Sequence, residues 1–168
     1  MHRGWKKKIV LGISVLCLVA GLRAEDVYLI GSYHDIDPCG KPQYDAAVDA
    51  LKTEGFGDLT FKGVYLDARH LSRDQITQKA DEIRQAMRRD NPKLIFTIDD
   101  AAFALFYEEA LAMPESYLVF TGLNRPLEYY NEQSPFLDKR KPIRNITGVY
   151  EYLFSLEQLE MLEAILDR

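Results

Sequence analysis

The sequence predicts an α/β fold organised as a doubly wound parallel sheet, and three observations carry that expectation. Val27–Ile30, Lys93–Thr97 and Tyr117–Thr121 are short apolar runs with the length and β-branched or aromatic content of buried strands. Between them lie segments of helical periodicity, the clearest of which follows Ser72. Strand and helix alternate along the chain after residue 24, the order that yields a parallel sheet with helices on its faces.

Each element has its own signal. The first strand ends at Gly31-Ser32, and the loop Asp37-Pro38-Cys39-Gly40 with Pro42 is rich in turn formers. Tyr44 to Leu51 fits a helix stopped by Gly55 and Gly57. Leu59 to Leu66 is a second strand, interrupted by Lys62 and Gly63. Ser72 and Gln75 stand at capping-box spacing, so hydroxyl and amide satisfy free backbone donors at a helix start. Ile76, Ala80, Ile83 and Met87 then share one face until Asn91-Pro92 ends the helix. Asp99 to Met113 is a third helix, stopped near Pro114. The stretch from Gly122 to Asn145 is polar, carries Pro126, Pro135 and Pro142, and has no clear period. Ile146 to Tyr150 is a fifth strand. Ser155 and Gln158 repeat the capping-box spacing, and Leu156, Leu159, Leu162, Ile165 and Leu166 stripe the helix that follows.

The beginning of the chain bears on compartment. Arg3, Lys6, Lys7 and Lys8 precede the apolar run Ile9–Leu22, and Leu22-Arg23-Ala24 offers a small residue for cleavage before Glu25. That is the layout of a secretory signal peptide over residues 1–24, too short to span a bilayer. Leu16 is too large for the residue that precedes a lipidated cysteine, so Cys17 is expected to leave with the segment. The product is expected in the periplasm. Without the five basic residues of that segment, 16 Lys and Arg face 26 Asp and Glu, a net charge of −10. Nucleic-acid binding needs the opposite sign, and adhesion to anionic lipid is disfavoured too. Cys39 alone remains, so no intrachain disulfide is expected and no cysteine-rich metal site. The remaining 144 residues suit one domain.

In doubly wound sheets ligands sit beyond the carboxyl ends of the strands, near the point where strand order reverses. Ser32 and Tyr33, with His34 ranked lower, follow the first strand; Asp99 and Asp100 follow the third. Thr121 and Asn124, with Arg125, follow the fourth, and Tyr150 ends the fifth. Ser32, Tyr33, Asp99, Asp100, Thr121, Asn124 and Tyr150 are therefore the expected ligand contacts. Competing readings accompany them. Asp35 and Asp37 are better turn formers than calcium ligands, because the acidic loop with its central glycine is missing. At least one of Asp99 and Asp100 is expected to cap its helix, a role compatible with ligand contact. Tyr129-Tyr130 is equally an aromatic wall or a surface cluster. Asn145-Ile-Thr147 matches a glycosylation sequon, a pattern too short to carry weight. No nucleophile elbow, phosphate loop or dinucleotide glycine pattern occurs, and no Ser, His and acid set can be assembled from spacing. A binder without catalytic residues, metal or cofactor is expected rather than an enzyme.

Val119-Phe-Thr-Gly-Leu-Asn124 with Pro126, Asn145-Ile-Thr-Gly-Val149, and Ser155-Leu-Glu-Gln-Leu-Glu-Met-Leu162 resemble substrate-binding proteins of ABC transporters with the type I periplasmic binding fold. Ser32-Tyr33-His34 also looks like the start of related binding domains fused to sensor kinases and cyclases. Asn124-Arg125-Pro126 departs from the family, which commonly has an acid before that proline, and Cys39 falls near where the sensor-linked relatives carry tryptophan. The resemblance implies a Rossmann-like, flavodoxin-like lobe over residues 25–150. Residues 151–168 would be a hinge segment and terminal helix leading toward a second lobe that this chain lacks. It implies two lobes closing on a small organic ligand, such as an amino acid, and an ABC transporter permease as partner. The alternatives are a sensory input module, an exported hydrolase and a shortened gene product without function of its own. The terminal apolar stripe adds an expectation of homodimerisation through that helix.

Overall fold

The computed structural model describes residues 26–150 and 154–166 of the 168-residue chain. The expected signal segment and most of the expected hinge, residues 151–153, lie outside the described residues. The order of elements is β1 (Val27–Gly31), α1 (Gly40–Leu51), β2 (Phe61–Tyr65), α2 (Arg73–Asp90), β3 (Leu94–Ile98) and α3 (Asp100–Leu111). It continues with β4 (Tyr117–Leu123), α4 (Leu127–Gln133), β5 (Leu137–Asp138), β6 (Lys141–Pro142), β7 (Ile146–Tyr150) and α5 (Ser155–Leu166). Five strands form one parallel sheet in the order β2-β1-β3-β4-β7, and β5 and β6 make a small antiparallel hairpin beside it. This is the doubly wound α/β architecture that the alternation of elements predicts, with the strand reversal between β1 and β3.

Two faces of the sheet differ in how they are covered. Tyr28, Ile30, Ile95, Leu118, Phe120 and Ile146 point to one face, where they join Ala80, Ile83 and Met87 of α2 and Phe103, Phe106 and Tyr107 of α3 in a single core. Ala80, Ile83 and Met87 are the predicted stripe, and Ser72 and Gln75 make the predicted reciprocal capping box. Arg88 of α2 also grips the carboxylate of Glu109 on α3 with two bonds of 2.7 and 2.8 Å. The other face carries Val27 and Leu29, both fully buried, beneath α1, which packs on β1 and β3.

The structure corrects several boundaries. α1 begins at Gly40, four residues before the expected Tyr44, because Asp37 Oδ1 accepts from the amides of Cys39 and Gly40 at 3.0 and 3.1 Å. Pro42 then falls in the first turn, where its missing N–H leaves no intrahelical bond unmade. The helix continues into a π-helical turn, Lys52–Phe56, and its helical backbone breaks at Gly55, φ 95°, one of the two expected stopping glycines. The supposedly aperiodic stretch holds α4 and the β5–β6 hairpin, fixed by Asn131 Oδ1, which accepts from the amides of Phe136 and Leu137. Tyr130 is a core residue, 2% exposed, while Tyr129 next to it is open, so the two tyrosines do not act as one unit. At the start of α5 Ser155 is already helical, and the Gln158 amide bonds to the Phe154 carbonyl at 3.0 Å.

Candidate functional site

The carboxyl edge of the sheet is assembled by hydrogen bonds between loops that are distant in sequence. Ser32 leaves β1 and is buried. Its hydroxyl donates to the Ile98 carbonyl at 2.8 Å and accepts from the Ala102 amide at 2.8 Å. Ala102 is the third residue of α3, so Ser32 supplies from another strand the bond that an N-cap side chain usually makes. This replaces the expected capping by the aspartates: Asp99, at the N-cap position, makes no side-chain cap bond. The physical reason is its backbone, turned to φ 68°, with the carboxylate directed against Gly122 of the neighbouring loop.

Asp100 has a different task. Its carboxylate accepts from the Asn124 backbone amide at 3.2 Å, the Asn124 side-chain amide at 2.9 Å and the Arg125 amide at 3.1 Å. The loop after β4 is thereby tied to the first turn of α3, and two expected site residues, Asp100 and Asn124, meet directly. A shallow 580 Å³ cavity opens beside them, between Ala104, Arg125 and Tyr130. Thr121 is half-buried in β4, and its carbonyl accepts the Asp99 amide at 3.0 Å. Gly122 makes this crossing feasible. It has φ +72°, and a Cβ there would lie 2.6 Å from Asp99 Oδ1.

Tyr150 is not brought to this group. It ends β7 and lines a separate cavity of 770 Å³ with Leu127, Asn131, Leu137 and Arg140. The physical cause is topological: β7 is the far edge strand, whereas Ser32 and Asp99 flank the strand reversal between β1 and β3.

The structure adds residues that sequence reading missed. The Arg69 guanidinium lies 3.9 Å from the centre of the Tyr33 ring and donates to Asp37 Oδ2 at 2.7 Å. His34 and His70 stack with ring centres 5.5 Å apart. His70 Nδ1 is 2.6 Å from Asp67 Oδ1, and His34 Nδ1 accepts from the Ile36 amide, so the Nε2 atom of neither ring takes part in these bonds. The available signal was weak: Asp67, Arg69 and His70 follow the second strand as the other candidates follow theirs, but Lys62 and Gly63 make that strand the least regular of the five.

Asp37 holds this corner. Burial pushes its carboxyl pKa up, but the Gly40 and Cys39 amides and the Arg69 guanidinium outweigh burial and hold it below the ordinary value. A carboxyl depressed in the folded state contributes stability above its unfolded pKa, lost as pH falls through the folded one. Wild type should therefore exceed Asp37→Asn in urea midpoint by a constant margin near neutrality, and the margin should close below about pH 4. Urea titrations across that range check it; a margin independent of pH would contradict the assignment.

Among the described residues no group of three His, Cys, Asp or Glu side chains is placed to hold a metal ion, and no helix is long and apolar enough to cross a membrane. No protein-family profile and no curated protein matches this chain.

Proposed function

We propose that this protein is an exported solute-binding lobe of the type I periplasmic binding kind, serving an ABC transporter. Its solute is a small zwitterion such as an amino acid, held at the carboxyl edge of the sheet. The observation that supports this reading is the division of that edge into two halves with different donor and acceptor side chains. After β1 and β2 stand Tyr33, His34, Arg69 and His70, with Arg69 held by Asp37 and His70 by Asp67, a set of aromatic and donor side chains suited to a carboxylate. After β3 and β4 stand Asp99, Asp100 and Asn124, a group suited to an ammonium. Adjacent strands are about 4.8 Å apart, so the two halves are separated by roughly 5–15 Å, the span of one small molecule. The loops carrying them are cross-linked in advance by Ser32 and Asp100, which reduces the ordering cost of binding.

Calorimetric titration of the purified protein with a panel of common amino acids tests the reading. One or more should bind, and Arg69→Ala and Asn124→Ala should each weaken that affinity roughly tenfold or more. Binding that neither substitution alters would move the site elsewhere, and no binding by any amino acid would remove the zwitterion assignment.

A further inference from the structure

The sheet is unevenly clad. Tyr65, Gly31, Ile98 and Thr121 form one row of register partners, and Leu29, Phe96, Val119 and Thr147 form another, all on the face that α1 covers. Cover fades along this face. Val27 and Leu29 of β1 and Ile98 of β3 are buried, Leu94, Phe96 and Val119 are only half-buried, and Tyr117 and Val149 are 63% and 66% exposed. On the opposite face the same three strands present Ile95, Leu118, Phe120 and Ile146, all 2% exposed or less. Parallel sheets are stable when both faces are covered, and over β4, β7 and the Leu94–Phe96 end of β3 one face is poorly covered among the described residues.

The chain also carries an unpartnered apolar helix. Leu156, Leu159, Met161, Leu162, Ile165 and Leu166 of α5 are 50–74% exposed, and no described residue of α5 is buried. A helix apolar over so much of its circumference is normally covered. Its 12 residues make about 18 Å of helix. The poorly covered face is five residues long in β7, about 17 Å, so helix and face match in length. In its own chain α5 leaves that face open.

We propose that α5 of a second copy of this chain covers the β3–β4–β7 face, and that the exchange is reciprocal about a two-fold axis. The area is sufficient. Each large apolar side chain hides on the order of 60–120 Å² when covered. Six from α5 and the open side chains of the sheet, counted in both copies, give on the order of 1,000–2,000 Å², the size class of specific interfaces. Glu157, Glu160 and Glu163 stay at the rim, where charge is compatible with an interface. The proposal rests on exposure and register alone and stands independently of the solute-binding reading.

Sedimentation of the purified chain at micromolar concentration should give a dimer. Leu159→Glu with Leu162→Glu breaks the helix side, and Tyr117→Lys with Val149→Lys breaks the sheet side. All four positions are at least half exposed in the protomer, so the variants should keep the wild-type circular dichroism. Each pair should weaken dimerisation roughly a hundredfold or more. Mixing the two variants supplies one intact helix and one intact face, and should restore a heterodimer that neither variant forms with itself. A wild-type monomer would overturn the proposal, including the case where α5 folds onto its own sheet. Dimers that survive either pair, or a mixture without heterodimer, would overturn it in favour of helix–helix or sheet–sheet contact.

Discussion

Phe103→Ala should lower the free energy of unfolding by about 3–5 kcal/mol, the largest loss we expect from any single truncation in this chain. Phe103 sits in α3, fully buried, with its ring centre 5.0 Å from Phe120 of β4, 4.9 Å from Tyr130 of α4, 5.4 Å from Tyr107 and 6.2 Å from Phe136. Truncation removes the common member of four ring contacts. The cavity cannot collapse easily, because its walls belong to a helix, a strand, a second helix and a loop that are separately anchored. Phe56→Ala, at a ring 52% exposed, is the control and should cost less than about 1 kcal/mol. Urea denaturation of both variants checks the pair. Equal losses would mean that the aromatic cluster is not the centre of the core.

That cluster also shows how far the sequence could be read. The helix before Asn91 was legible because one stripe and one capping box pointed to the same answer, and local signals suffice where they agree. α4 was not legible. Its seven residues hold one buried side chain, Tyr130, and a single point gives no period. The start of α1 was hidden for a related reason: the cap is Asp37, outside the helix by three residues, and a run of Pro and Gly reads as a loop until that carboxylate is seen taking the amides.

The candidate site was legible as an address and not as a set of roles. Strand ends located Ser32, Asp99, Asp100 and Asn124 on one edge, because parallel topology fixes where loops emerge. What each side chain does depends on partners tens of residues away, which spacing does not encode. Ser32 reaches 70 residues forward to cap α3, and Asp100 reaches 24 residues forward to hold Asn124. Arg69 and His70 were missed because their importance comes from Tyr33 and His34, on a different strand end.

The segment Asn145-Ile-Thr-Gly-Val149 carries fold-making residues, and Gly148→Ala is expected to show it. Asn145 Nδ2 lies 2.7 Å from the Ala110 carbonyl, 3.1 Å from that of Met113 and 2.7 Å from that of Ser116, pinning the end of α3 to the start of β4. Three positions on, Gly148 pairs with Phe120 in the β4–β7 ladder, where a Cβ would stand 2.2 Å from the Phe120 carbonyl oxygen. The obstacle is main chain, which no rotamer change can move aside. Even one methyl group therefore forces β7 away from β4, and the ladder holding this edge strand lengthens or breaks. We expect Gly148→Ala to cost about 1–3 kcal/mol, toward the upper end because backbone must give. The loss should be local at first, since β7 has β4 as its only ladder partner in the described sheet. Amide exchange should accelerate in Ile146–Tyr150 and at the facing positions of β4 before it changes in β1 or β3. Val149→Ala, one residue along at a side chain 66% exposed in the protomer, should fall within about 0.5 kcal/mol of wild type when both are compared as dissociated protomers. Indistinguishable effects at 148 and 149 would mean that the strands do not approach so closely, and that glycine is dispensable in this segment.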